Sequence, residues 1–253
     1  MTAALLPALL LFSCGENESQ TAQSSVGVVR NYGMPSIGVG RTIVEPEADP
    51  MPQIICIDPE HGFDDGGCSS EFMNGLNEKD ITLAISLMID EELRDLGYQT
   101  VLTHDGNTFP ITSAYDNNNK FRPEERTAYA NSIDIDYYVS IHCNSYHEAS
   151  AYGTRIYYYD GYVKREHTSG DIAESINNGL LQTLEPGSKS EVIGMTSGVY
   201  HVIRTTTAPA SLIEVGFVTN EADAAKMIDE SWQRDFAEGV AAGIDSFYRS
   251  QQN

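Results

Sequence analysis

From residue 53 onward the chain alternates between two hydrophobic rhythms. Short apolar runs at 53–58, 98–103, 136–142, 153–159, 199–204 and 211–216 read as strands. Several are unbroken rather than alternating, as in strands covered on both faces. Between them, apolar residues recur every three or four positions, the helical period. Over 78–96 this places Ile81, Ile85, Met88, Ile89, Leu93 and Leu96 on one face, and Gly97 ends the pattern. Asn77 is a good N-cap, with Asp80 three residues on. Residues 122–132 predict a shorter, charged helix. Residues 169–184 set Ile172, Ile176, Leu180 and Leu184 four apart, and Pro186-Gly187 stops them. Residues 232–249 do the same with Trp232, Phe236, Val240, Ile244 and Tyr248. The alternation predicts a three-layer α/β domain, a mostly parallel or mixed twisted sheet of about six strands flanked by helices. The 78–96 helix is the expected crossover between the first two strands.

The pattern changes before residue 53. Ala3 to Phe12 is almost wholly apolar, too short to span a bilayer, and fits the core of a signal peptide. Leu11-Phe12-Ser13-Cys14 resembles a bacterial lipobox, in which the cysteine is lipidated after cleavage; an ordinary secretion signal is the other reading. Residues 15–52, rich in Ser, Gly, Asn, Gln, Glu and Pro, read as a polar tether. The expected organisation is a signal segment over 1–14, a tether over 15–52 and a catalytic domain over 53–250. It implies a cell-envelope location, periplasmic or extracellular, with a membrane tether through a Cys14 lipid.

Composition narrows the partners. The 253 residues carry 37 acidic and 15 basic side chains, a net charge of −22. Nucleic acid is excluded as a partner, because phosphate binding needs clustered Lys and Arg. A hydrophobic content of 41% supports one sizeable core, expected as a monomer. No Cys-x-x-Cys occurs, which excludes a zinc ribbon. Cys56 and Cys143 sit in apolar runs as small core residues. One disulfide plus one free thiol among Cys56, Cys68 and Cys143 stays open.

Candidate chemistry sits at strand ends. The run Ile54-Ile55-Cys56-Ile57-Asp58-Pro59-Glu60 delivers His61, and Tyr137-Tyr138-Val139-Ser140-Ile141 delivers His142. Leu212-Ile213-Glu214-Val215-Gly216 holds a carboxylate in an apolar run. The carboxyl ends of strands are where open sheets keep their ligands. Each residue also has a plain reading. His61 alone is a structural histidine, Glu78 a first-turn carboxylate favoured by the helix dipole, and Glu214 an ion-pair partner for Arg204. Together, His61, Glu78 and His142 make a two-histidine, one-glutamate zinc set with an open fourth position, and Glu214 is left over as a proton shuttle. His147-Glu148 begins a metalloprotease motif that Ala151 fails to complete. His104, His167 and His201 lack paired ligands. No Gly-x-Ser-x-Gly elbow or phosphate loop is present.

Four segments in order carry a family resemblance: Ile57-Asp58-Pro59-Glu60-His61-Gly62; Asn74-Gly75-Leu76-Asn77-Glu78-Lys79-Asp80; Val139-Ser140-Ile141-His142-Cys143-Asn144-Ser145; and Pro209 to Asn220 around Glu214. Arg126 to Asn131 adds a fifth. The chain resembles the zinc-dependent N-acetylmuramoyl-L-alanine amidases of the type-3 class. The resemblance implies His61, Glu78 and His142 as zinc ligands and Glu214 as the catalytic glutamate. The implied substrate is peptidoglycan, cut between N-acetylmuramic acid and L-alanine. A zinc peptidase or amidase on other muropeptides, or a non-catalytic peptidoglycan-binding lipoprotein, are the alternatives. Glu60 replaces the family's usual Gly and is expected to strain the turn if φ is positive there, while adding a carboxylate beside the metal. Cys143 stands close to the zinc as an oxidisable thiol. Only residues 143–152 separate His142 from the next strand, so no inserted helix is expected to cover the cleft.

Overall fold

The computed structural model describes residues 53–108, 122–161 and 168–252. The signal segment, tether, Cys14 and His167 lie outside them. Among the described residues, six strands form one sheet in the order β2-β1-β3-β6-β4-β5, from β1 (Ile54–Pro59), β2 (Gln99–Leu102), β3 (Tyr137–Asn144), β4 (Thr154–Tyr159), β5 (Ser190–Met195) and β6 (Ala210–Phe217). β1, β2, β3 and β6 run parallel, whereas β4 pairs antiparallel with β6 and carries β5 parallel to itself.

Helices cover both faces. On one side lie α1 (Glu78–Asp95), α3 (Ser169–Thr183), α5 (Glu221–Met227) and α6 (Glu230–Ser250). Ile81, Ile85, Ile89 and Leu93 of α1 join Ile172, Ile176, Phe236 and Val240 in one core against Ile57, Val139 and Ile213. The other face carries α2 (Pro123–Ser132) and the one-turn α4 (His201–Thr205). There Ala130, Val202 and Ile203 close over Cys56, Tyr138 and Leu212. β1, β3 and β6 are covered on both sides, hence their unbroken apolar runs.

The strand expected over 199–204 is a correction: its centre forms α4. Val202 and Ile203 are both buried in the same cluster. Consecutive residues of a strand point to opposite faces, whereas one helical turn directs both inward. The sixth strand is instead β5, a half-buried edge segment, Ser-Glu-Val-Ile-Gly-Met, with no clear apolar alternation. Cys56, Cys68 and Cys143 are all free thiols.

Candidate active site

The sheet order reverses at β1, which has β2 on one side and β3 on the other. Open sheets build their clefts at such a switch point, beyond the carboxyl ends of the strands. β1 brings Asp58, Glu60 and His61 there, β3 brings Ser140 and His142, and β6 sets Glu214 directly opposite His142. The amino end of α1 adds Glu78.

His61 lies in a tight turn with φ of 61° there and 133° at Gly62. Glu60 is not among the positive-φ residues, so the strain expected at Glu60 falls on the histidine itself. His61 Nδ1 is 3.3 Å from Asp65 Oδ2, and its Nε2 is 3.3 Å from Glu78 Oε2. Burial opposes protonation of this ring, but the Glu78 and Asp65 carboxylates outweigh it and raise its pKa.

Glu78 follows the expected cap: the Asn77 N–H donates to Asp80 Oδ2 at 2.8 Å. It is more than a dipole carboxylate. It is buried, with Oε2 accepting from the Cys68 N–H at 2.9 Å and Oε1 from the Cys143 N–H at 2.8 Å. Burial works against its charge, yet His61 and these two amides hold its pKa down.

His142 is buried, and burial pushes its pKa down to about 3, so the ring is neutral. Its tautomer follows from its neighbours. The Ser140 hydroxyl donates to Asp58 Oδ2 at 2.6 Å and lies 2.9 Å from His142 Nε2. That hydroxyl has one proton, already given to Asp58, so Nε2 carries a hydrogen, and Nδ1 needs a proton or a cation between itself and the Glu60 carboxylate it touches. Nδ1 contacts Glu60 Oε2. Asp58 also accepts from Thr103 at 2.6 Å and pairs with Arg126 Nε at 2.9 Å.

Glu214 is buried, with Oε1 3.5 Å from the Tyr200 hydroxyl and Oε2 without a hydrogen-bond partner. Burial and the Glu78 charge push its pKa up to about 8. Arg204, its expected partner, is exposed on α4. The nearby cation is Arg155, opposite Glu214 on β4.

Ligand atoms of Glu60, His61 and Glu78 lie within 4.8 Å of one another, a group able to hold a cation. His142 is not in that group; it touches Glu60 alone among the three. Sequence reading missed Ser140 and Asp58 as supports of His142, and Asp65 as support of His61. The spacing Ser140-x-His142 was the available signal, since alternate residues of a strand share a face.

The other described histidines sit elsewhere. His104 is buried with Nε2 2.9 Å from the Pro59 carbonyl, and its ring lies where a Gly62 Cβ would meet it at 3.0 Å. His201 lies 3.8 Å from Glu124, and His147 is exposed beside Glu148. Residues 145–153, joining β3 to β4, contain no helix.

Gly67 has φ of 70°, and a Cβ there would lie 2.5 Å from His61 Cδ2 and 2.6 Å from Glu78 Oε2. Gly67→Ala is therefore expected to push both side chains from the centre. The measurement is metal uptake by the folded variant; uptake equal to wild type would show that the loop yields without moving them.

The sequence profile of the N-acetylmuramoyl-L-alanine amidase family matches residues 55–246. A Bacillus subtilis protein named YqiI, uncharacterized, is 34% identical over 194 residues, covering 77% of this chain and 84% of its own length. The B. subtilis N-acetylmuramoyl-L-alanine amidase LytC is 28% identical over 248 residues, covering 95% of this chain, which spans 45% of LytC. Among solved structures, the catalytic domain of CwlV, an N-acetylmuramoyl-L-alanine amidase from Bacillus (Paenibacillus) polymyxa var. colistinus, superposes with a TM-score of 0.64 at 29% identity. It covers 78% of this chain and 98% of that one. An N-acetylmuramoyl-L-alanine amidase from Clostridium difficile 630 gives a TM-score of 0.67 at 26% identity, covering 79% and 99%.

Proposed function

The chain belongs to the N-acetylmuramoyl-L-alanine amidase family, and on that premise we propose that it hydrolyses peptidoglycan with zinc, at the amide joining the lactyl group of N-acetylmuramic acid to L-alanine. His61, Glu78 and His142 are the proposed metal ligands and Glu214 the catalytic glutamate. One observation carries the zinc reading. Each histidine has its outer nitrogen tied to an acceptor, His61 to Asp65 and His142 to Ser140, and its inner nitrogen beside a carboxylate, where a bound cation would take the place of a shared proton. That is how ligating imidazoles are oriented in zinc sites.

Zinc, when bound, supplies Lewis acidity that polarises a carbonyl and lowers the pKa of water to about 7. The protein's own part is proton traffic. Glu214 Oε2, buried and without a partner, accepts a proton from the attacking water and returns it to the leaving alanine nitrogen as the C–N bond breaks. A pKa of about 8 would leave Glu214 protonated at neutral pH. Burial raises it most and the Glu78 charge adds to that; a cation held beside Glu78 would offset the second contribution and lower the pKa toward the range of a base. Tyr200, 37% exposed, stands beside these residues, its ring 6.3 Å from that of His142 and its hydroxyl 3.5 Å from Glu214 Oε1.

Residues 53–250 are the proposed catalytic unit, working as a monomer at the cell envelope, with 15–52 as tether and Cys14 as lipid anchor. The deciding experiment is mass spectrometry of digested murein. Stem peptides with a free L-alanine amino end are expected, and their formation should stop with a chelator and return with zinc. Cleavage within the stem, or activity indifferent to chelation, would sink the reading.

A further inference from the structure

Glu60 is held by its backbone on two sides. Its N–H donates to the Ile141 carbonyl on β3 at 3.1 Å, and its carbonyl accepts from the Thr82 hydroxyl on α1 at 2.8 Å. The side chain is thereby aimed between the two histidines. Oε2 contacts His142 Nδ1 and lies 3.7 Å from His61 Nε2. Those are the two nitrogens not tied to Asp65 or Ser140. The other oxygen, Oε1, is 3.5 Å from Arg126 Nη2. The space between the histidines thus collects Glu60 and Glu78, with Glu214 on the adjoining strand. A divalent cation is the natural balance for such a donor set.

We propose that Glu60 is a fourth protein ligand of zinc, making the donor set two histidines and two glutamates. This rests on the zinc reading above and goes beyond it, since that reading needs three ligands and an open position. Four protein donors fill a tetrahedral shell, the arrangement of closed sites. Hydrolysis then requires Glu60 to yield. Arg126, already within 3.5 Å of Oε1, is the group to which its carboxylate turns. Glu60 therefore acts as a latch of the resting enzyme: it tightens metal retention and must swing toward Arg126 before substrate is engaged.

Diffraction from zinc-soaked crystals of the wild-type protein, with the ion located by its anomalous signal, tests this directly. A Glu60 oxygen about 2.0–2.2 Å from the ion is expected; a carboxylate held off beyond hydrogen-bond distance overturns the proposal. In solution, zinc affinity measured by chelator competition should fall at least about tenfold in Glu60→Gln and Glu60→Gly, the loss seen even for groups that only support a ligand. Affinity that is unchanged or tighter in both would overturn it. His61→Ala separates the two readings. If wild type binds zinc and His61→Ala does not, the zinc reading stands whatever Glu60 does; if wild type takes up none, the zinc reading fails first.

Discussion

Glu214→Gln should cut murein hydrolysis by about 10²–10⁴-fold, the usual contribution of a positioned general acid–base group, while zinc uptake stays intact. The substitution keeps the shape and the Tyr200 contact but removes the group that carries the proton. Zinc bound per chain should match wild type, because Glu214 is not among the proposed ligands. Loss of metal together with activity would show that Glu214 belongs to the metal set. A second readout comes from metal-free protein. Glu214's pKa rises from its ordinary 4.5 to about 8 on folding, so between those values the folded chain holds a proton that the unfolded chain has released. Its contribution to stability is therefore present at pH 4.5 and below and is lost as pH climbs to about 8. Denaturation in chelator at pH 5 and pH 8 should show that fall in wild type, and a smaller one in Glu214→Gln. Glu78, His61 and His142 titrate in both proteins, so the difference reports Glu214. Equal slopes would place the titration elsewhere.

Asp58→Asn should cost about 3–5 kcal/mol of stability, the range for removing one partner of a buried ion pair. Asp58 is wholly inaccessible and Arg126 is 3% exposed, so water screens neither. Burial disfavours the Asp58 charge, but Arg126 and the Ser140 and Thr103 hydroxyls more than compensate and hold its pKa below the ordinary value. Asparagine fits the same space and removes the counter-charge. Chemical denaturation measures the loss, and a change under about 1 kcal/mol would mean that the pair contributes only as exposed pairs do. The same variant should weaken metal binding about 10–100-fold, as loss of an outer-shell partner does. Without the carboxylate, Ser140 has no fixed acceptor for its proton, and the His142 tautomer is no longer set. Both outcomes together would tie fold stability and metal affinity to the one Asp58 side chain.

Much of the architecture was legible because burial leaves a period in the sequence. The four-residue spacing from Ile81 to Leu93 matches the buried face of α1. The unbroken runs of β1, β3 and β6 match strands covered on both faces. Leu96 broke the pattern, being exposed at the helix end. β5 was missed because an edge strand buries little, and α4 because two adjacent apolar residues fit a short strand as well as a helical turn. At the site, His61, Glu78 and His142 were picked out by position at element ends, and Glu214 as a carboxylate inside an apolar run. Their supports were not, because those contacts span the chain: Ser140 meets Asp58 across 82 residues of sequence. No local period encodes which way Glu60 points after a turn, or that Gly67 closes against His61.

The reversal of direction at β4 has a consequence for how such an enzyme can diversify. Because β4 and β5 run against β6, they begin at the same edge where β1, β3 and β6 end. Arg155 and Glu191, 3.2 Å apart, stand at that edge although they open their strands. The segments 145–153 and 184–189 lead into it as well. Sequence added there would build new walls for a substrate without passing through β3 and β6, which carry His142 and Glu214, or the turn after β1 that carries His61. The chemistry and its clientele are therefore encoded in separable stretches of chain, and one can be rewritten while the other is left alone.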